Sequence, residues 1–235
     1  MKGTLYLIPS TIGETKLEKV IPAYVKEVVA EIRHFIVEDE RTARRMLIKL
    51  EIPTAIDDLV FYILNQHTDK AMIPDYLKAA ETENIGLLTD AGVPAIADPG
   101  SEIVALAHLK KIKVVPLVGP SSILLAMMAS GLNGQNFAFN GYLPVKSPDR
   151  IKRIKQLEIR SQVENQSQIF IEAPYRNNQL LQDIISSCAD NSLLCIGANL
   201  SADNEFIDTR TISSWRQSKP DLHKIPVIFI LHKKI

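Results

Sequence analysis

The chain has 235 residues, 46% of them hydrophobic and 23% charged, which fits one large soluble globular domain or two small ones. Its 27 basic and 27 acidic residues cancel, so a generally basic nucleic-acid-binding surface is excluded and any RNA-binding charge must be local. Two cysteines, Cys188 and Cys195, exclude a disulfide framework and read as reduced thiols of a reducing compartment.

The opening stretch Met1–Pro9 has an apolar run too short for a signal peptide, and no segment reaches the roughly 20 residues of a membrane span. The expected location is cytoplasmic, away from any membrane. Thr4–Pro9 reads as a strand, and Leu17–Glu31 as a helix with Pro22 near its start. Phe35–Val37, Leu59–Leu64, Ile85–Thr89 and Lys113–Pro116 read as strands. Arg41–Leu50, Asp69–Ala80 and Ser101–Lys110 read as the helices between them. This alternation predicts a mostly parallel sheet covered on both faces.

The second half changes character. Ser121–Ser130 reads as an apolar helix, Asp149–Glu158 as a charged one, Gln179–Cys188 as a third and Ile212–Arg216 as a turn or short helix. Phe137–Tyr142, Gln168–Glu172, Leu193–Ala198, Glu205–Thr209 and Val227–Leu231 read as strands, spaced for a mixed sheet. The expected fold is α/β in two domains, residues 1–117 and 118–235, with the boundary at Val118-Gly119-Pro120.

Ligands of open α/β sheets sit outside the carboxyl ends of strands. Three loops have that position: Pro9–Gly13, Thr89–Gly100 and Pro116–Ser122. The second places two Gly, two Pro and two Asp in twelve residues, with Ala91, Ala95 and Ala97 leaving room for a thin ligand. Asp98 either caps the following helix or serves the ligand site. Ser121 and Ser122 either cap their helix or present its free N–H groups to a ligand. There is no G-x-x-x-x-G-K-[ST] phosphate loop, no G-x-G-x-x-G after the first strand, no H-E-x-x-H and no G-x-S-x-G.

In this order the loops resemble the tetrapyrrole methylase family, and within it the branch that methylates ribose in small-subunit ribosomal RNA. The resemblance rests on Leu5–Gly13, Glu38-Asp39-Glu40-Arg41, Thr89–Gly100, Val115–Ser122 with Ala129–Leu132, Phe139–Pro144 and Glu172-Ala173-Pro174-Tyr175-Arg176. It covers roughly residues 4–180, and residues 89–100 are its most specific part. The chain departs from the branch at Gly197–Glu205, where only Leu200 and Glu205 echo it, so the methyl acceptor is less defined than the cofactor site.

The resemblance implies a homodimer of two-domain α/β chains with S-adenosylmethionine (SAM) held between the domains. Asp90, Ala91, Gly92, Ala95, Ile96 and Ala97 would line the cofactor. Ser121, Ser122 and Gly141 would form the far wall, and Pro9 the floor. Glu38, Asp39 and Glu172 are the candidate bases, with Arg41 and Arg176 as phosphate or carboxylate partners; the same set also reads as a structural ion-pair cluster. Residues 146–160 carry Lys146, Arg150, Lys152, Arg153, Lys155 and Arg160 against Asp149 and Glu158, either an RNA-backbone contact or a solvated helix face. The expected partner is the small ribosomal subunit or its RNA. The alternatives are methylation of a tetrapyrrole or other metabolite, and a SAM- or RNA-binding relative without turnover.

Overall fold

The computed structural model describes residues 2–234 and divides into two compact units, one up to Ser121 and one from Ser122 onward. In the first unit β1 (Thr4–Ile8), β2 (His34–Val37), β3 (Val60–Ile63), β4 (Ile85–Leu88) and β5 (Lys113–Pro116) form one sheet in the order β3-β2-β4-β1-β5. Every pairing in it is parallel. All the loops that follow these strands therefore leave from one edge.

Side-chain alternation feeds a core on each face of this sheet. Ile8, Phe35, Val37 and Leu88 pack on one face with Val25 and Val29 of α2 (Ala23–Ala30) and Ala43, Met46 and Leu47 of α3 (Glu40–Lys49). Leu5, Ile36, Ile85 and Leu87 pack on the other with Ile103 and Ala107 of α4 (Gly100–Leu109). Each fully buried Leu, Ile or Phe contributes about 1.5–3 kcal/mol.

Two expected helices differ, both because of proline. The stretch from Leu17 forms α1 (Leu17–Val20) and then α2, broken at Ile21-Pro22. Pro22 has no N–H and forces Ile21 into the extended region, φ −113° and ψ 117°. The segment Lys70–Leu77 contains Pro74 and is a 3₁₀ helix, followed by a second 3₁₀ turn at Ala79–Glu81, not one α-helix.

The second unit opens with α5 (Ser122–Ser130) and β6 (Phe137–Tyr142), then α6 (Ser147–Glu164) and β7 (Ser167–Ile171). It continues with α7 (Asn177–Ser187), β8 (Leu193–Ala198), β9 (Phe206–Thr211), α8 (Ile212–Gln217) and β10 (Val227–His232). The strand order is β6-β7-β10-β8-β9. Only β6 and β7 run parallel, so the sheet is mixed as its spacing predicts. Helix α6 is longer than expected at both ends. It starts with Pro148 in its first turn and stops where Asn165 takes the left-handed conformation, φ 48°. Phe170 and Phe229 stack across β7 and β10 with centroids 6.0 Å apart. No helix among the described residues is long and apolar enough to cross a membrane.

Candidate functional site

The chain leaves β2 toward β3 on one side and β4 toward β5 on the other. The reversal opens a crevice at the carboxyl ends of β2 and β4, where open α/β sheets bind their ligands. A small, mostly apolar cavity lies beneath this edge, lined by Val37, Leu64, Leu87, Leu88 and Pro94 together with Glu38, Thr89 and Asp98.

Three loops are tied together at this edge. Ser10 donates its backbone N–H to Gly92 O (2.8 Å) and its hydroxyl to Thr89 O (2.6 Å). Pro9 packs against the third loop so closely that a Cβ on Gly119 would lie 2.2 Å from Pro9 Cβ. Thr89 Oγ1 donates to Glu38 Oε1 (3.0 Å), joining the loops after β2 and β4.

Within the second loop Gly92, Ala95 and Ala97 adopt positive φ of 75°, 65° and 65°. Such backbone is costly for alanine and persists only where its surroundings enforce it. Asp98 is the enforcer. Its carboxylate accepts the N–H of Ala95 (2.9 Å) and of Gly100 (2.8 Å), bridging the turn to the start of α4. The residue therefore clamps the loop as well as serving the helix start. Asp90, Ala91, Ile96 and Ala97 are left exposed, Ile96 by 51% although it is fully apolar.

The local field is negative. Partial desolvation of an otherwise exposed side chain, then Glu38 and Asp39, push the Asp90 carboxyl up to about 6. Burial also raises Asp98, opposed by its backbone hydrogen bonds. Asp39 is held below the usual carboxylate range by the Thr42 hydroxyl, because its side chain caps α3 through Thr42 N (2.8 Å). Arg41 is exposed in the first turn of that helix. Of the residues marked in the sequence, this edge thus gathers Pro9, Glu38, Asp39 and the whole 90–97 segment. An exposed apolar side chain, positive-φ backbone and several carboxylates meet at this edge.

In the second unit the marked residues separate into two groups. Glu172 is buried directly after β7, and its Oε1 accepts from Arg176 Nη2 (2.6 Å) and Ala173 N (2.7 Å). Arg176 also donates to the Tyr175 hydroxyl (2.7 Å). Gly141 lies on the paired strand β6, just before Tyr142, which pairs with Ile171, and has φ 62° and open space where a Cβ would be. Ser122 opens α5, and Ser121 is the last residue of the first unit.

The basic segment needs one correction. Arg150 is fully buried, pairs with Asp183 (Nε 2.7 Å) and donates to Val145 O (2.7 Å). It ties α6 to α7 and cannot meet an RNA phosphate. Arg153 is half-buried and donates to Asn140 Oδ1 (3.1 Å), while Arg160 is exposed and pairs with Glu164 (3.0 Å). Lys146, Lys152 and Lys155 are exposed. The divergent segment is equally structural: Leu200 is buried, and Glu205 accepts Ser201 N (2.8 Å) to close a turn.

No protein-family model matches the sequence. Ribosomal RNA small subunit methyltransferase I of Vibrio cholerae is 28% identical over 232 residues, covering 97% of this chain and 76% of that protein. The protein of the same name from Escherichia coli O157:H7 is 30% identical over 207 residues, 88% of this chain and 68% of its own length. Its Synechocystis counterpart is 30% identical over 203 residues, 86% and 69%. The chain belongs to the ribosomal RNA small subunit methyltransferase I family.

Among solved structures the methyltransferase CobJ aligns with a TM-score of 0.63 at 13% identity, over 98% of this chain and 94% of that one. Uroporphyrin III C-methyl transferase from Thermus thermophilus aligns with a TM-score of 0.58 at 14% identity, over 98% of both. At such identities the likeness is one of fold. Three features are not legible in the sequence alone: the Thr89 hydroxyl link to Glu38, the hold of Asp98 on Ala95 within its own loop, and the exposure of the Tyr142 and Tyr175 rings. A small polar residue at a strand end and an Asp three residues after an alanine were the available signals for the first two.

Proposed function

We propose that this chain is a SAM-dependent methyltransferase acting on a ribose 2′-hydroxyl of small-subunit ribosomal RNA. The observation that carries the reading is the strained, clamped loop at residues 90–97, beside the acidic residues after β2 and β4, in a chain whose relatives are named as methyltransferases of small-subunit ribosomal RNA.

SAM supplies a methyl group already activated on a positively charged sulfonium. The chain's part is binding and alignment. Asp90, Ala91, Gly92, Ala95 and Ala97 offer backbone groups and Ile96 an apolar face. Pro9 is proposed as the floor of the cofactor site, and Ser121, Ser122 and Gly141 as further cofactor contacts. The carboxylates of Glu38, Asp39 and Asp90 give the crevice a negative potential that favours a cationic donor. Glu38 and Asp39 act as positioning groups, since one holds Thr89 and the other caps α3. Arg41, with Lys146, Lys152 and Lys155, is an exposed cation suited to RNA phosphate. Work as a homodimer in the cytoplasm, on the assembled small subunit, belongs to the same proposal.

The test is transfer of tritium from labelled SAM to small ribosomal subunits lacking the ribose modification, with free ribosomal RNA alongside. Label in subunit RNA, mapped to a ribose, is the expected result. SAM binding without any label in RNA would redirect the activity to a metabolite or to a non-catalytic role.

A further inference from the structure

The parallel pair β6–β7 carries Tyr142, Tyr175 and Arg176 at its carboxyl ends. On β6, Phe139 pairs with Ile169 but the next pairing is Tyr142 with Ile171, so one extra residue is inserted. Gly141 supplies the positive φ for this bulge. Bulges can re-aim a side chain, and this one ends at the exposed Tyr142. Asn140 is fixed within the bulge, donating to Gln168 Oε1 (3.1 Å) and accepting from Arg153.

On the β7 side the guanidinium of Arg176 is held twice, by the buried Glu172 carboxylate and by the Tyr175 hydroxyl. It also lies 4.9 Å from the Tyr175 ring centroid. Tyr142 and Tyr175 remain 61% and 62% exposed. Each terminal nitrogen of Arg176 spends one hydrogen on these partners and keeps one. Glu172 Oε2 and Arg176 Nε are buried without a hydrogen-bond partner, so the protein has ordered this pair without saturating it. An exposed ring against a fixed planar cation, with a second exposed ring at the end of the paired strand, matches the chemistry of an unstacked base and its phosphate.

We infer that Tyr142, Tyr175 and Arg176 form a nucleotide subsite for single-stranded RNA, the base stacking on a tyrosine ring and the phosphate taking the free Arg176 N–H groups. Glu172 is the positioning residue that fixes Arg176. The inference rests on RNA being the methyl acceptor.

The experiment measures binding of the full-length protein to unmethylated small ribosomal subunits by filter retention without donor, together with kcat and KM on the same subunits and SAM affinity by calorimetry. Tyr142→Ala and Tyr175→Ala are expected to weaken subunit binding about tenfold each, with Tyr175→Phe within about twofold of wild type. Arg176→Ala should weaken binding and flatten its salt dependence. Glu172→Gln should raise KM with kcat retained. SAM affinity should stay unchanged throughout. A wild-type protein that methylates the subunits while the tyrosine variants keep their affinity and KM overturns the subsite alone. Loss of kcat rather than KM in Glu172→Gln overturns the positioning role. A wild-type protein that neither binds nor methylates the subunits overturns the RNA reading and the subsite together.

Discussion

Both carboxylate oxygens of Asp98 lie 2.9 Å from the backbone nitrogen of Ala95, a residue held at φ 65°. The contact fixes a conformation that alanine does not choose, on the loop that carries the exposed apolar Ile96. Asp98→Ala removes the acceptor for two backbone N–H groups, those of Ala95 and Gly100, at a cost of about 1–3 kcal/mol. SAM affinity should fall about tenfold as the 92–97 segment relaxes, which is about 1.4 kcal/mol. Asp98→Asn keeps one acceptor oxygen and should recover part of both. Urea unfolding and calorimetric SAM titration measure the two effects; a normal SAM affinity in Asp98→Ala would mean the loop geometry is irrelevant to the cofactor.

Gly119 is required by contact, not by backbone angle. A Cβ there would stand 2.2 and 2.3 Å from Pro9 Cβ and Cγ, and a proline ring has no flexible end to swing away. Gly119→Ala should therefore destabilise by about 1–3 kcal/mol and displace the Pro9 loop, weakening SAM binding. Gly134 is the control, with nothing within 4 Å of its Cβ position. Gly134→Ala should be neutral or stabilising by about 0.4–1 kcal/mol. Equal melting temperatures for the two variants would contradict this.

The basic segment divides into one buried structural arginine and several surface cations. Arg150→Met leaves Asp183 without its main partner in a nearly dry site, a loss of about 3–5 kcal/mol. The double variant Lys152→Ala with Lys155→Ala should change stability by no more than about 0.5 kcal/mol. It should instead lower the slope of log affinity for ribosomal subunits against log salt by roughly 0.7–0.9 per lysine. Thermal melts and a salt titration separate the cases, and an unchanged slope would exclude this helix face from the RNA interface.

Strand order along the chain was readable because each strand of the first unit is a short apolar run between turn residues, and burial on both faces needs no alternation. The loops were readable because glycine, proline and aspartate concentrate where backbone must turn sharply. What composition hides is the environment of a long side chain. Arg150 stands among cations in sequence, yet it is the one that meets Asp183, 33 positions away. Pro22 and Pro74 were visible, but their consequences depend on where the neighbouring turn can re-form its hydrogen bonds. Asp39 and Glu38 looked alike as candidate bases. Only the fold shows one capping α3 and the other holding Thr89.

Asp90 sets stability against binding. Its carboxyl is pushed up to about 6 in the folded chain against an ordinary 3.8, chiefly through partial desolvation and then through Glu38 and Asp39. A raised folded value means the fold prefers the protonated form. The favourable contribution is complete below the unfolded value and is lost as pH rises through about 6. At neutral pH the ionised group is a net cost of about 1 kcal/mol, after allowing for solvent screening of an exposed carboxylate. Asp90→Asn should therefore raise the melting temperature at pH 7.5 by ~3 °C and leave it nearly unchanged at pH 4. The same ionised group adds to the negative potential that favours a cationic donor. Wild-type SAM affinity should accordingly increase from pH 5.5 to 7.5, and the Asn variant should lose most of that increase. The neutral demethylated product should show a weaker dependence. Calorimetry at the two pH values decides the matter: an Asn variant that is more stable and binds SAM as tightly as wild type at pH 7.5 would leave Asp90 no part in holding the donor.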